Sequence, residues 1–245
     1  MFSYKVVKEK AKRNNQVLND KLHPFASKFS LFFSWIFINL NFTPNNVTFL
    51  FFIVGFFGSF FFLSNNIFLI IIGYFFWRLH IIFDICDGEV ARFTKVFSMN
   101  GAYWDYMIHA VLYPLYFINI CVSQFFKYDN HLFLFLAITG SFIISLQLAV
   151  KNNYFRAILS DGKSLSEYEN KSRSSTKNIT RHTIYVYITE LLGFEGFLFL
   201  FILMNFICNE VLILLFIIVY SFLFFLAGFI KFFFLSKNGF YPKRS

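Results

Sequence analysis

Long apolar stretches alternate with short polar ones along most of the chain. A helix needs roughly 20 apolar residues to cross the hydrocarbon core of a bilayer, and six stretches come close to that length or exceed it. The pattern therefore predicts an all-α integral membrane protein with six transmembrane helices. The predicted spans are 46–63, 66–83, 101–126, 131–150, 184–206 and 210–234.

A shorter apolar segment precedes the first predicted span. Residues 27–40, SKFSLFFSWIFINL, have apolar positions at mixed spacing and predict an amphipathic helix that lies in the membrane interface. The alternative is a seventh span, which the short distance from Lys28 to Pro44 disfavours. The predicted organisation is an N-terminal segment with the interfacial helix, a six-helix membrane domain and a tail, with bounds 1–43, 44–235 and 236–245.

The composition agrees with a membrane protein, since 58% of the residues are hydrophobic and only 14% are charged. The formal net charge of +9 could indicate a nucleic-acid partner, but the lysines and arginines concentrate in particular connections between the spans. Such a distribution indicates membrane orientation, and it predicts that both termini and the segment 84–100 are cytoplasmic. We therefore expect contact with membrane lipids and no nucleic-acid partner.

A polar cluster interrupts the apolar pattern in DICDGEVARFTKVFSMNGAYWDYMIH, residues 84–109. Asp84 and Asp87 are three residues apart, and Asp105 and His109 are four apart, so each pair shares one face of a helix. Two antiparallel helices joined at the cytoplasmic side would bring the pairs together. Carboxylates beside a bilayer are costly unless a cation compensates them, and oxygen ligands with one imidazole suit Mg²⁺ or Mn²⁺. The alternative is a set of solvated charges at the membrane surface.

The residues between these carboxylates favour a ligand site over solvated charges. Gly88 and Ala91 lie on the same sector of the predicted helix and leave its backbone open to a ligand. Gly101 provides another position without a side chain at the start of the next helix. Arg92 supplies a guanidinium fork suited to phosphate oxygens. Together these residues indicate a site for a metal-bound pyrophosphate.

The same residues resemble the signature of the CDP-alcohol phosphatidyltransferases, D-x-x-D-G-x-x-A-R-x8-G-x3-D-x3-D. Seven of its eight fixed positions match, and His109 replaces the last aspartate. Upstream, TPNNVT at 43–48 looks like the Pro-Asn-x-x-Thr element that helps line the nucleotide pocket in relatives. Asn45 and Thr48 could alternatively cap the first span. The nucleotide-binding residues that the resemblance implies are Asn45, Thr48, Gly88, Ala91, Arg92 and Gly101.

The resemblance implies the transfer of a phosphoalcohol group. Members of the family cleave the pyrophosphate of a CDP-linked alcohol, commonly CDP-diacylglycerol, pass the phosphoalcohol to an acceptor alcohol and release CMP. Two ions, Mg²⁺ or Mn²⁺, would be held by the motif carboxylates of Asp84, Asp87 and Asp105, with His109 as a further candidate ligand. A homodimer with a cytoplasm-facing site, in the inner membrane of a bacterium, is the expected setting.

The histidine at position 109 is the departure from the family pattern, because relatives carry the proposed catalytic base there as an aspartate. Three interpretations are open: His109 is the base, the base lies elsewhere and His109 packs or binds metal, or catalysis is impaired. The last would make the chain a non-catalytic membrane protein that binds nucleotide or lipid. A transporter is disfavoured, since the carboxylates cluster at one face and no inverted repeat is visible.

Five other polar residues have possible roles outside the predicted metal and nucleotide site. Arg156 and Arg181 bracket a polar loop and could bind an anionic acceptor, or simply meet lipid headgroups. Arg78 and His80 lie within an apolar span, where polar residues are functional candidates, although Arg78 could equally pair with a glutamate of span five. Glu89 is predicted to face water or a loop cation.

Overall fold

The computed structural model describes residues 2–11, 24–160, 193–207 and 209–239. Throughout these ranges the regular structure is helical, and no strand occurs in them, which confirms the predicted all-α class. A single 3₁₀ turn, Phe61–Leu63, continues the third helix. The helices are α1 (Tyr4–Ala11), α2 (Pro24–Asn39), α3 (Pro44–Phe60), α4 (Ile67–Thr94), α5 (Met99–Tyr128), α6 (Leu132–Ser160), α7 (Phe194–Ile207) and α8 (Glu210–Gly239).

Several of these helices are long and apolar enough to cross a bilayer. Among the described residues there are five such segments, which supports a multi-pass membrane protein. The predicted fifth span, 184–206, is described only in part, because residues 184–192 lie outside the described ranges. Its described portion is α7, with 14 residues. The five segments are Pro44–Leu63, Ile67–Thr94, Tyr103–Tyr128, Leu132–Val150 and Glu210–Ile230.

The helix that carries the first half of the motif extends beyond the predicted span 66–83, as the predicted placement of Asp84, Asp87, Gly88 and Ala91 on one helix requires. The apolar pattern ends at residue 83, but α4 continues without interruption to Thr94 and has 28 residues. It ends where Lys95 adopts the left-handed conformation, with φ of 60°. Since α5 begins at Met99, both carboxylate pairs lie on regular helix, and a short turn connects the two helices.

Thr43 begins α3 as its N-cap. Its side chain accepts a hydrogen bond from the backbone N–H of Asn46, and Pro44 occupies the first helical position, where no donor is needed. The alternative role of Asn45 and Thr48 as caps is therefore wrong, and their side chains are available for other contacts. Asparagines accept a hydrogen bond from the first turns of three later helices: Asn66, Asn130 and Asn209.

The N-terminal helices α1 and α2 pack against α4. Val7 and Ala11 of α1 are fully buried in the same apolar cluster as Phe37 of α2 and Val90 of α4. The helix predicted at 27–40 is confirmed as α2, which has 16 residues, and its place in the membrane interface stays a prediction.

The chain divides into two compact units, Met1–Ser123 and Gln124–Ser245. The first contains α1 to α4 and most of α5, so it holds the whole motif. The second contains α6 to α8 and an aromatic core of its own, in which Phe197 stacks on Phe216 with ring centroids 5.5 Å apart. The site can thus be described within the first unit.

Candidate active site

Helices α4 and α5 bring three predicted ligands together. Nε2 of His109 lies 3.1 Å from an oxygen of Asp105 and 3.6 Å from an oxygen of Asp84. One ligand atom from each residue lies within 4.8 Å of the other two, and all three side chains are partly exposed. An ion such as Mg²⁺ has opposing ligands about 4.2 Å apart, so modest side-chain movement would let one ion contact all three. Two carboxylates and an imidazole fit Mn²⁺ or Mg²⁺.

Asp87 lies one helical turn beyond Asp84 and is oriented by α3. The Thr48 hydroxyl donates to Oδ2 of Asp87 across 2.9 Å, and the same hydroxyl lies 3.1 Å from the carbonyl oxygen of Pro44. Thr48 is almost fully buried. Thr48, predicted to bind nucleotide, therefore contacts Asp87, a predicted metal ligand. The hydrogen bond orients the Asp87 carboxylate one helical turn from Asp84.

Asn45 and Gly101, both predicted to bind nucleotide, are joined through Ser98. The backbone N–H of Gly101 donates to the Ser98 hydroxyl across 2.9 Å, and that hydroxyl donates to Oδ1 of Asn45 across 3.2 Å. A Cβ atom on Gly101 would lie 3.1 Å from the Ser98 oxygen and 3.3 Å from that of Asn45, so the close approach depends on glycine. Ser98 was not predicted from the sequence, because it falls in the unspecified spacer of the motif.

Arg92 contacts the N-terminal helix. Its Nε donates to the carbonyl oxygen of Ala11, the last described residue of α1, across 2.7 Å. A Cβ atom on Gly88 would lie 3.0 Å from Nη1 of Arg92, so the glycine leaves room for the guanidinium. Contact of Arg92 with phosphate stays a prediction. Ala91 is partly exposed in the last turns of α4.

Glu89 faces α2, away from water. It is 1% exposed, and the hydroxyls of Ser30 and Ser34 donate to its two carboxylate oxygens across 2.9 and 2.7 Å. The prediction that Glu89 meets water is wrong, because both serines lie on the face of α2 that packs against α4. Their spacing of four residues was a visible signal, but the sequence did not show which helix they would contact.

A cavity of about 410 Å³ lies beside the carboxylates, between α3 and α5. It shares Thr48 with the Asp87 hydrogen bond, and its walls are almost entirely apolar. Two of its residues immediately precede Asp105 and His109 in the sequence, so they lie next to the site on α5. The lining residues are Asn45, Thr48, Phe49, Phe52, Trp104 and Ile108.

The two arginines predicted for the acceptor are located only in part. Arg156 is exposed near the end of α6, and Arg181 lies outside the described residues. Acceptor binding by this pair stays a prediction.

A comparison with known families supports the assignment that the motif suggested. The sequence model of the CDP-alcohol phosphatidyltransferases matches residues 41–204, which include α3, α4, α5 and the whole site. A comparison with curated protein sequences gives no significant match. Because the family match covers well over half of the 245 residues, the chain belongs to the CDP-alcohol phosphatidyltransferase family.

Proposed function

We propose that this chain transfers a phosphatidyl group from CDP-diacylglycerol, or a similar phosphoalcohol group from another CDP-linked lipid, to an acceptor alcohol with release of CMP. The convergence of Asp84, Asp105 and His109 carries the proposal. Solvated surface charges would have no reason to meet across two helices, whereas ligands of one cation would. Family membership supplies the reaction class, and the geometry supports activity at these residues.

Asp84 and Asp105 would hold one Mg²⁺ or Mn²⁺ ion, and Asp87 would hold a second with Asp84. When bound, the ions neutralise the pyrophosphate and stabilise the charge that develops on the departing CMP. Thr48 keeps the Asp87 carboxylate in one orientation through its 2.9 Å hydrogen bond. Asn45 and Gly101, linked by Ser98, would contact the nucleotide between α3 and α5, which their hydrogen bonds through Ser98 support.

His109 would receive the proton of the acceptor alcohol. The acceptor oxygen bonds to the phosphorus that carries the lipid alcohol, the bond from that phosphorus to the bridging oxygen breaks, and CMP leaves with the electron pair. The proton passes to Nε2 of His109, and Asp105, 3.1 Å away, stabilises the resulting imidazolium. The same geometry also supports a role for His109 as a metal ligand, since its Nε2 lies among the candidate ligand atoms of Asp84 and Asp105.

The apolar cavity supports a lipid on the donor. Its walls of Phe49, Phe52, Trp104 and Ile108 suit an alkyl chain, and its shared residue Thr48 places that chain next to Asp87. A soluble CDP-alcohol would leave these apolar walls unfilled. We therefore expect CDP-diacylglycerol to be a better donor than CDP-glycerol.

The test is metal-dependent release of CMP by the purified protein in detergent, with CDP-diacylglycerol or CDP-glycerol as donor and a panel of acceptor alcohols. Asp87→Asn should abolish release. Asp129→Asn is a matched control, because Asp129 is an exposed aspartate in the turn between α5 and α6. Binding of CDP without any release of CMP across the panel would contradict the proposed transferase activity.

Manganese binding separates the two roles of His109. If His109 is the base, His109→Ala should lose turnover while Mn²⁺ binding, measured by electron paramagnetic resonance, stays near that of the unmodified protein. Weaker Mn²⁺ binding would make His109 a ligand. Full activity of His109→Ala would exclude both roles.

We further propose that the site and both termini face the cytoplasm, and that the protein works as a homodimer in a bacterial inner membrane. The excess of lysine and arginine near the termini and after α4 supports the orientation. A reporter fused to the C-terminus, active only in the cytoplasm, would test it. Crosslinking in native membranes would test the dimer.

A further inference from the structure

His80 is a buried polar residue that the family motif does not include. It lies on α4 one turn before Asp84, is fully buried, and its Nδ1 is 3.0 Å from the carbonyl oxygen of Phe51 on α3. A carbonyl oxygen only accepts hydrogen bonds, so Nδ1 must carry the proton. Nε2 therefore presents a lone pair. It has no hydrogen-bond partner among the residues that the structure describes.

His109 has a buried nitrogen in the same situation. While its Nε2 faces Asp84 and Asp105, its Nδ1 is buried and finds no hydrogen-bond partner within the described ranges. The rings of His80 and His109 are neighbours, with centroids 5.6 Å apart and planes at 79°. Buried polar atoms are nearly always satisfied, so two unsatisfied nitrogens on adjacent rings indicate a hydrogen bond between them, made directly or through a water.

We propose that His80 is a positioning residue for His109, with Nε2 of His80 accepting the Nδ1–H of His109 directly or through one water. A chain of hydrogen bonds then runs from His109 through His80 to the carbonyl oxygen of Phe51. It keeps a proton on Nδ1 of His109, so that Nε2 donates to Asp105 while the ring is an imidazolium and can bind a cation or accept a proton once the ring is neutral. Histidines that act on metals or protons are commonly oriented in this way through the second nitrogen.

The packing around His80 keeps the ring in place. A Cβ atom on Gly55 of α3 would lie 2.8 Å from Nδ1 of His80 and 2.5 Å from a methyl carbon of Leu112, so only glycine lets α3 approach this closely. Trp77 contacts the ring on α4, with centroids 5.3 Å apart. The ring is thus confined, and its free lone pair cannot be turned toward water.

The inference rests on the proposed function of His109, but its first test does not depend on activity. The protein labelled with ¹⁵N-histidine and freed of metal would be studied by NMR, where the nitrogen shifts show which ring nitrogens carry protons. The chain has only five histidines, and His109→Asn assigns the decisive signals. We expect Nδ1 of His109 to be protonated in the unmodified protein.

Two substitutions of similar size separate the hydrogen bond from simple packing. His80→Gln keeps an acceptor and a donor, and should keep Nδ1 of His109 protonated. His80→Leu removes both, and should leave Nδ1 of His109 without a proton while Nε2 keeps its contact with Asp105. His131→Gln, at an exposed position, is the control. A melting temperature in detergent would verify that each variant is folded.

The expected effect on catalysis is a fall in kcat of about 10- to 100-fold in His80→Leu, little change in KM for the donor, and recovery in His80→Gln. If Nδ1 of His109 stays protonated in His80→Leu, or loses its proton in both variants, the inference is wrong. Gly55→Ala, which crowds the His80 ring, supplies a second route should His80→Leu not fold. A protein without transferase activity would still give the NMR result, so failure of the two proposals can be told apart.

Discussion

Two acidic residues on α4, Asp84 and Glu89, lie little more than one turn apart and have opposite surroundings. Glu89 faces α2, is almost fully buried, and accepts a hydroxyl hydrogen bond on each carboxylate oxygen, from Ser30 and Ser34. Asp84 faces α5, is partly exposed, and meets another carboxylate and the imidazole of His109. The same helix therefore carries two different carboxylates. Both oxygens of Glu89 accept hydrogen bonds, whereas Asp84 lies close to other candidate metal ligands.

The difference shows how a structural carboxylate and a functional one can be distinguished. A buried charge needs donors for its oxygens, and Glu89 has them from its neighbours in the fold. Asp84 and Asp105 instead place like charges near each other, which lowers stability unless a bound cation or a protonated His109 compensates them. Substitutions at the two positions should accordingly affect different properties, stability for Glu89 and turnover for Asp84.

The largest effect is expected at the carboxylates of the site. Asp84→Asn should lower kcat about 10²- to 10³-fold, because a neutral amide cannot replace the charge that holds the cation. In the presence of a chelator its melting temperature should stay the same or rise, since repulsion with Asp105 is relieved. CMP release measures kcat, and a thermal scan in detergent measures the melting temperature. A large fall in melting temperature without loss of turnover would reverse the assignment of Asp84.

Thr48→Val should have the next largest effect. The substitution keeps the shape of the side chain but removes the hydroxyl that orients Asp87, and loss of such an outer contact commonly costs about 10- to 100-fold in activity or metal affinity. We expect higher concentrations of Mn²⁺ to restore part of the rate. Thr139→Val is the control, since its hydroxyl bonds only a carbonyl of its own helix at the exposed surface. Equal losses in both variants would contradict a role for the Asp87 contact.

The sequence predicted the carboxylate faces correctly because helical spacing is local. Asp84 and Asp87, and likewise Asp105 and His109, are placed by the periodicity of single helices, and the connection of those helices at the cytoplasmic side predicted that the pairs would meet. The apolar span predicted at 66–83 stops short of the end of α4 at Thr94, since hydropathy falls at the first carboxylate although the backbone continues as helix.

Contacts between distant segments could not be predicted in the same way. Arg92 meets Ala11 from 81 residues away, and Ser34 meets Glu89 from 55 residues away. Neither pair produces a periodic signal, because each depends on how α1 and α2 pack on α4. A carbonyl oxygen accepts a hydrogen bond from any nearby donor, and only the fold selects Arg92. His80 was recognised as an intramembrane polar residue, but the sequence did not show that its ring would lie beside that of His109.

Glu89→Ala should lower stability and leave the chemistry of the folded protein largely intact. It removes the acceptor of two buried hydroxyls, and an unsatisfied buried polar group costs about 1–3 kcal/mol. The free energy of unfolding in detergent should fall by an amount in this range, while kcat per folded protein changes less than in Asp84→Asn. Loss of turnover at an unchanged melting temperature would place Glu89 among the functional carboxylates instead.

The smallest effect is expected for Ser34→Ala, and it completes a thermodynamic cycle with Glu89→Ala. Alone, the serine substitution removes one of the two hydrogen bonds to Glu89, which typically costs about 1 kcal/mol, and Glu89 keeps its bond from Ser30. In the background of Glu89→Ala the same substitution should cost little or even stabilise, because the hydroxyl then has lost its acceptor. Equal costs in both backgrounds would mean that the Ser34 hydroxyl does not stabilise the Glu89 carboxylate, and Glu89 would then need another explanation for its burial.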